Sequence, residues 1–136
     1  MGLKPITIKA VYVNVDDRTV TDIEVPPDGL DHLYARIGTS VVERFALPTF
    51  DLCWVDEEGH FKADQKYWRY SDRPGVLAGS AIIVGPDNKR GKSTDVTHDA
   101  MFYRYLIRFQ CKEAAQFECD MEGRALVPAP VIIAFK

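Results

Sequence analysis

Two short apolar segments, residues 50–55 and 80–84, constrain the fold of this chain more than any other feature. Both are rich in branched and aromatic residues, and turn residues bound both of them, which is typical of buried β-strands. We therefore expect the two segments to form the middle of one hydrophobic core. The residues between them combine aromatic rings with positive charge, so residues 50–85 also hold the best candidate for a functional site.

The N-terminal part of the chain predicts strands with one helix among them. Residues 6–15 and 20–25 alternate in polarity around a turn, which predicts an antiparallel hairpin. Residues 41–47 predict a strand antiparallel to residues 50–55. A helix is predicted between residues 25 and 41, because apolar residues recur there at the spacing of one helical face and a glycine follows. These residues are Leu30, Leu33, Tyr34 and Ile37, with Gly38 after them.

The C-terminal part predicts a second helix and further strands. Thr97 is a suitable N-cap, and Phe102, Tyr105, Leu106 and Phe109 lie at the spacing of one helical face. The polarity alternates again from Gln116, and residues 131–135 predict an edge strand after two prolines. We therefore expect one α+β domain, residues 1–136, with a mainly antiparallel sheet and two short amphipathic helices.

The composition excludes several classes of protein. The chain has 136 residues, 46% of them hydrophobic and 27% charged, which argues against disorder. A net charge of -3 argues against a protein that coats nucleic acid, and no apolar run approaches the roughly 20 residues of a spanning helix. The N-terminus lacks a signal-peptide pattern, so we expect a cytoplasmic protein. The three cysteines lack paired spacing, which predicts buried or half-buried reduced thiols.

Residues 85–93 resemble a phosphate-binding loop, but the spacing does not fit. A strand ends in Gly85 and is followed by Gly91, Lys92 and Ser93. A phosphate-binding loop has four residues between its glycines, whereas five lie between Gly85 and Gly91. We expect a solvated basic loop instead, whose Lys89, Arg90 and Lys92 could contact an anion.

Two further groups of polar residues are weaker candidates for catalysis. Asp56, Glu57 and Glu58 could act as paired carboxylates or bind a hard metal, but Gly59 favours a charged hairpin turn with a left-handed glycine. The histidines are dispersed, so a Cys53/His60 or Cys111/His98 pair would have to be assembled by the fold. We predict no catalytic residues, no metal ligands and no cofactor from these patterns.

Residues 66–73 are the best candidate for a binding site. The segment offers rings on which a base could stack and arginines that could contact phosphate. The same residue types are enriched at protein interfaces, and an edge strand whose rings cover the core is the plain structural alternative. The candidate contact residues are Tyr67, Trp68, Arg69, Tyr70 and Arg73.

The order of these motifs resembles a small domain family of unknown function, found mainly in bacteriophages and mobile elements. The resemblance rests on the acidic turn at residues 55–59, the strand at residues 79–85 and the aromatic helix that follows. It covers roughly residues 6–109 and leaves residues 110–136 as a C-terminal extension. Family members carry a small polar segment with an asparagine where this chain has residues 66–70. The resemblance implies a phage-type accessory protein without established activity, and it brings no catalytic residues.

We expect a non-catalytic binding protein that engages a host factor or sequesters a small nucleotide-like ligand, as an anti-defence protein would. Its partner would be a host protein or a small anion in the host cytoplasm, with nucleic acid less favoured and no membrane. One alternative is a metal- or nucleotide-dependent enzyme that acts on a phosphate-containing substrate through the Asp56 turn and the basic loop. Another is a protein that self-associates through its second helix or residues 131–135.

Overall fold

The computed structural model describes residues 6–27, 30–39, 41–62, 64–71 and 75–126. In chain order the elements are β1 (Ile8–Asn14), β2 (Thr19–Val25), α1 (Leu30–Ile37), β3 (Val42–Ala46), β4 (Leu52–Asp56), β5 (Tyr67–Tyr70), β6 (Leu77–Ala78), β7 (Ala81–Val84), α2 (Ala100–Leu106), β8 (Ile107–Gln110) and α3 (Lys112–Met121), with a short 3-10 helix at Gly59–Phe61.

Two antiparallel sheets form the framework, which confirms the predicted α+β class. The larger sheet has the order β2-β1-β7-β4-β3, and the smaller one has the order β6-β5-β8. The predicted hairpins β1–β2 and β3–β4 are both present, with Val11 opposite Asp22 and Arg44 opposite Trp54. The two apolar segments of the sequence, β4 and β7, are neighbouring strands, as expected for the middle of a core.

The strands bury alternate residues in separate layers. Between the two sheets lies the main core, which includes Val11, Ile83, Trp68 and Tyr103. On the opposite face of the larger sheet, α1 covers a second cluster that includes Ile82. A third cluster joins the outer face of the smaller sheet to α3. Because β7 supplies Ile83 to one side and Ile82 to the other, its continuous apolar sequence follows from burial on both faces.

Helix α1 forms where the periodicity predicts it. Leu33 and Ile37 are buried against the larger sheet, one turn apart. The helix ends at Gly38, which has φ +82° and donates its N–H to the Tyr34 carbonyl at 2.8 Å. Glycine adopts this left-handed conformation without the steric cost that a Cβ atom would impose.

The second helix is shorter than the sequence predicts. Asp99, rather than Thr97, is its N-cap, and the Asp99 carboxylate accepts the N–H of Phe102 at 3.1 Å. The helix ends at Leu106, and the chain continues directly into β8, where Phe109 lies opposite Trp68. Tyr105 is therefore exposed, and the predicted apolar face ending at Phe109 is wrong.

The segment from Gln116 is helical, so the predicted strand there is wrong. Helix α3 begins in a run of good helix formers and buries Ala115 and Cys119, which lie four residues apart. Phe117 and Met121 alternate with acidic residues in the sequence, but both are exposed on the helix. The described residues thus contain three α-helices rather than the two predicted. The predicted strand at residues 131–135 lies outside the described residues.

The acidic turn is not a hairpin turn, which corrects the role assigned to Gly59. Strand β4 pairs with β3 and β7, and the chain leaves it through the 3-10 helix that begins at Gly59. A Cβ atom on Gly59 would lie 2.7 Å from the Ala78 carbonyl oxygen. Gly59 is needed for this close approach of two backbones, not for a left-handed conformation.

A buried polar network joins the β3–β4 loop to the segment before α2. The carboxylate of Asp51 accepts the hydroxyl protons of Tyr103 and Thr97 at 2.5 and 2.9 Å, and the N–H of Thr97 at 3.0 Å. Burial and the hydrogen bond to Asp51 raise the pKa of Tyr103. The network ties Thr97 and Tyr103 to the β3–β4 loop.

None of the described helices has the length and apolar character required to cross a membrane.

Candidate functional site

The aromatic residues predicted as contacts lie in the interior. Strand β5 is the middle strand of the smaller sheet, so its interpretation as an edge strand is wrong. Tyr67 and Tyr70 are buried, and Trp68 is fully buried, with its Nε1 donating to the Gly79 carbonyl at 3.0 Å. These rings would have to leave the core before a base could stack on them. Arg73 lies outside the described residues.

Arg69 anchors the C-terminal helix. It is only 7% exposed, and its guanidinium forms ion pairs with Glu118 and Glu122, each at 2.7 Å. The hydrogen bond to Glu122 raises the pKa of Arg69, and the same bond lowers the pKa of Glu122. Since Nε and Nη2 of Arg69 face Glu118 and Glu122 at the C-terminal end of α3, a structural role accounts for this side chain.

The acidic turn is also engaged in structural contacts. Asp56 is buried, forms an ion pair with Lys62 at 2.5 Å and accepts the N–H of Glu58 at 2.9 Å. Glu57 and Glu58 are exposed on the turn. Among the described residues, no three His, Cys, Asp or Glu side chains are grouped so that they could hold a metal ion.

The histidines proposed as partners of cysteines have other contacts. His60 Nδ1 lies 2.8 Å from the carbonyl oxygen of Leu126, and the His98 ring stacks on Phe102 with 3.9 Å between centroids. All three cysteines are free, as predicted, but Cys111 is exposed rather than buried. Neither proposed Cys/His pair gains support from these contacts.

A different tryptophan, Trp54, lines a pocket on the α1 side of the larger sheet. The cavity, called the Trp54 pocket below, has a volume of about 350 Å³ and lies between α1, the five strands of the larger sheet and the loop after β7. Apolar side chains make up most of its wall. The lining residues are Ile8, Val25, Pro26, Pro27, Leu33, Arg44, Trp54, Val84, Asp87, Gly91 and Ser93.

Arg44 and Asp87 form the polar side of the Trp54 pocket. Arg44 lies directly opposite Trp54 in the β3–β4 register, with its guanidinium carbon 5.3 Å from the centre of the indole. The same guanidinium pairs with Asp87 Oδ2 at 2.7 Å, and the Arg44 side chain remains 41% exposed. Cation–π contact and the ion pair together hold Arg44 over the indole face.

Two residues that line this pocket each carry a polar atom that is covered from solvent and has no hydrogen-bond partner among the described residues. These atoms are Trp54 Nε1 and Asp87 Oδ1. An unsatisfied buried polar atom costs about 1–3 kcal/mol, so native proteins rarely retain one without a reason. A ligand that supplies an acceptor for the indole N–H and a donor for the carboxylate would remove this cost.

The basic loop extends the Trp54 pocket into a longer groove. A neighbouring cavity of about 570 Å³ shares Ile8, Pro26, Pro27 and Ser93 with the pocket, and Asn88 and Lys92 are among its other lining residues. The side chain of Asn88 accepts the N–H groups of Arg90 and Lys92 at 2.8 and 3.1 Å, which fixes the loop. Of the predicted anion contacts, the structure thus brings Lys92 to the groove, with exposed Lys89 and Arg90 on the same loop.

The sequence interpretation missed Trp54 and Arg44. Trp54 lies in an apolar strand and was assigned to the core, although Cys53 and Val55 point to the other face of the sheet. The period of two residues in a strand could have separated Trp54 from these neighbours. Arg44 could not have been found in this way, because its position opposite Trp54 depends on the strand register.

The site and the fold define a small α+β protein with a ligand-sized groove beside its larger sheet. The chain belongs to the family described as a domain of unknown function (DUF3846), which matches residues 8–110. This confirms the resemblance to a family of unknown function. The matched region contains every residue that lines the Trp54 pocket, whereas α3 lies outside it. No curated protein and no solved structure matches the chain.

Proposed function

We propose that this protein is a non-catalytic binding protein that holds a small anionic ligand with a flat ring, such as a nucleotide, in the Trp54 pocket. The observation that carries the proposal is that two residues of a mostly apolar pocket, Trp54 and Asp87, hold covered polar atoms, Nε1 and Oδ1, without a hydrogen-bond partner among the described residues. Small-molecule sites combine apolar walls with a few such polar groups.

The chemistry of the groove favours a ring at one end and an anion at the other. A flat ring can stack on the guanidinium of Arg44, which already lies against the indole of Trp54. Its polar edge would bind the indole N–H and the Asp87 carboxylate. A phosphate group would reach Lys92, and the exposed Lys89 and Arg90 would add attraction at longer range. The volume of about 350 Å³ is sufficient for a base.

The biological setting is part of the same proposal. The resemblance in the sequence favours an accessory protein of bacteriophages or mobile elements that acts in the host cytoplasm. Such a protein would sequester a small signalling molecule of the host and thereby act against its defence. Small molecules extracted from protein purified from its host, and identified by mass spectrometry, would test this setting. A ligand recovered in chemically altered form would instead favour the enzyme alternative.

A comparison of two arginine variants tests the proposal. Arg44 and Arg36 each lie over an aromatic ring, at 5.3 and 5.4 Å from its centre, but Arg36 contacts Tyr12 and does not line the Trp54 pocket. Calorimetric titration with a panel of mono- and dinucleotides should identify a ligand that also raises the melting temperature. Arg44→Ala should weaken its binding about tenfold or more.

Arg36→Ala is the matched control, because it removes the same charge and a similar cation–π contact elsewhere. Its affinity should equal that of the wild type. Arg44→Lys should recover only part of the affinity, since lysine keeps the charge but loses the planar stacking surface. A panel in which no nucleotide binds, or equal losses in Arg44→Ala and Arg36→Ala, would contradict the proposal.

A further inference from the structure

The second surface of interest is the outer edge of β2, which is an edge strand of the larger sheet. Lys9 of β1 directs its backbone away from β2: its N–H donates to Asp95 Oδ1 at 2.8 Å, and its carbonyl accepts the N–H of Val96 at 2.9 Å. Lys9 and Glu24 are opposite each other, so they form a non-hydrogen-bonded pair. The backbone N–H and C=O of Glu24 therefore point outward.

The same alternation turns the backbone of Asp22 outward, since it lies two residues from Glu24. Val20 is the next outward residue, and its carbonyl accepts Arg104 Nε at 2.8 Å, which fits this assignment. Apart from this bond from Arg104 to Val20, the outward side of β2 is unpaired, since no strand of the described chain pairs with it. The outward backbone groups of Asp22 and Glu24 are called the β2 edge below. They are arranged to accept another strand.

An open groove of about 890 Å³ runs beside the β2 edge, larger than the Trp54 pocket. Three consecutive residues of β2 line it, and the segment before α2 forms its other wall. The lining residues are Lys9, Asp22, Ile23, Glu24, Val96, Thr97, His98, Asp99 and Phe102. The Asp51 network holds this second wall in place, so the groove is bounded by fixed backbone on both sides.

The groove is acidic, with an aromatic wall. Asp22, Glu24 and Asp99 contribute three carboxylates against the single ammonium group of Lys9. The carboxylates of Asp22 and Asp99 also accept N–H groups at the start of α2, while Glu24 is exposed. The stacked rings of His98 and Phe102 provide a flat surface on which the aliphatic stem of a lysine or arginine side chain can pack.

We propose that the β2 edge binds an extended peptide of a partner protein that carries basic residues, which adds as a sixth strand to the larger sheet. The peptide backbone would bind the outward groups of Asp22 and Glu24, and its lysine or arginine side chains would face the acidic groove. Addition of a strand combines backbone hydrogen bonds, which give affinity, with side-chain pockets, which give specificity. This surface is separate from the Trp54 pocket and does not depend on it.

Charge selects a basic peptide over a second copy of this chain. If two β2 edges paired antiparallel about Asp22, the Asp22 carboxylates of the two copies would lie directly opposite each other. Like charges in that position destabilise a strand pair. A peptide with alternating lysine and valine residues would place opposite charges there instead.

The test uses the full chain and a synthetic peptide, acetyl-Val-Lys-Val-Lys-Val-amide. Titration followed by amide NMR should show saturable binding, with slower hydrogen exchange at Asp22 and Glu24. A peptide with glutamate in place of lysine should bind at least about tenfold more weakly because its charges repel the groove. A peptide N-methylated at alternate residues should lose binding, because it lacks the N–H groups that strand addition needs.

Proline variants of the protein provide a matched pair. Glu24→Pro removes an outward N–H and one groove carboxylate without breaking a bond to β1, and it should reduce affinity about tenfold. Ala46→Pro makes the corresponding backbone change at the opposite edge. There Leu47 donates its N–H to the Asp51 carbonyl and Val41 accepts the N–H of Glu57, so Ala46 faces outward. The affinity of this variant should be unchanged.

Three results would overturn this inference: no saturable binding of the lysine peptide, equal binding of the N-methylated peptide, or protection of amides elsewhere. Dimerisation of the free chain, detected by its solution mass and abolished by Glu24→Pro, would assign the edge to a second copy instead. If Glu24→Pro fails to fold, the comparison of the N-methylated and unmodified peptides still decides the question.

Discussion

The two tryptophans of this chain lie beside arginines, yet their surroundings differ completely. Trp68 is fully buried and its Nε1 donates to the Gly79 carbonyl, while the neighbouring Arg69 is buried and forms ion pairs with Glu118 of α3 and with Glu122 just after it. Trp54 lines a pocket, its Nε1 has no partner among the described residues, and Arg44 is partly exposed above it. The same residue types therefore build a core in one place and a candidate site in the other.

This difference shows that position beside an open cavity, rather than composition, separates the candidate site from the core here. A ring and an arginine stabilise a fold when every donor is paired and water is excluded. They form a site when donors remain unpaired beside an open cavity. The pair that the sequence favoured, Trp68 and Arg69, is buried in the interior, with ion pairs between Arg69 and two glutamates. The pair that it missed, Trp54 and Arg44, lies beside an open cavity.

The largest difference between the two regions should be in stability. Trp68→Ala should lower the free energy of unfolding by about 3–5 kcal/mol, because it empties the main core. Trp54→Ala should cost about 1–2 kcal/mol, since this side chain lies beside a cavity and is only partly buried. Urea denaturation followed by circular dichroism measures both values. A larger loss in Trp54→Ala would reverse the assignment of core and site.

The two arginines should differ in the same direction but by less. Arg69→Met should lower the free energy of unfolding by about 1–3 kcal/mol, because two glutamates on α3 lose their partner. Arg44→Met should change it by less than about 1 kcal/mol, because the pair with Asp87 is partly exposed. Urea midpoints again supply the comparison, and equal losses would show that Arg44 is also a structural residue.

The smallest expected effect is a pH dependence confined to the Arg69 region. The hydrogen bond from Arg69 lowers the pKa of Glu122 below its ordinary value of 4.5. A depressed folded-state pKa gives stability that is complete above the unfolded value and is lost as the pH falls below it. The urea midpoint of the wild type should therefore decrease more than that of Arg69→Met between neutral pH and about pH 3. Parallel decreases would contradict this coupling, whereas Arg44→Met should behave like the wild type.

Local patterns predicted the elements that depend on nearby residues. The β1–β2 and β3–β4 hairpins and α1 follow from alternation, turn residues and the glycine after Ile37. Helix α3 was mistaken for a strand because Phe117, Cys119 and Met121 alternate with acidic residues, although Ala115 and Cys119 also fit one buried helical face. The sequence could not show that Glu118 and Glu122 lie on the helix face that meets Arg69.

The candidate site was predicted only in part. Lys92 was identified from the charge of its loop, and it lines the groove. The sequence of this loop does not indicate Trp54, because the loop and Trp54 are brought together only by the position of β7 between β1 and β4 in the sheet. Arg44 reaches the pocket through the β3–β4 register, which no local pattern determines. Contacts across strands of distant sequence position thus account for what the sequence missed.

The most direct test of the central claim observes the two indole N–H groups in one experiment. The chain has two tryptophans, so a ¹⁵N-labelled sample should give two indole signals, which Trp54→Phe assigns. Titration with the nucleotide panel should shift the Trp54 signal saturably and leave the Trp68 signal in place. A shift of the Trp68 signal alone, or no shift of the Trp54 signal with any nucleotide, would contradict the account.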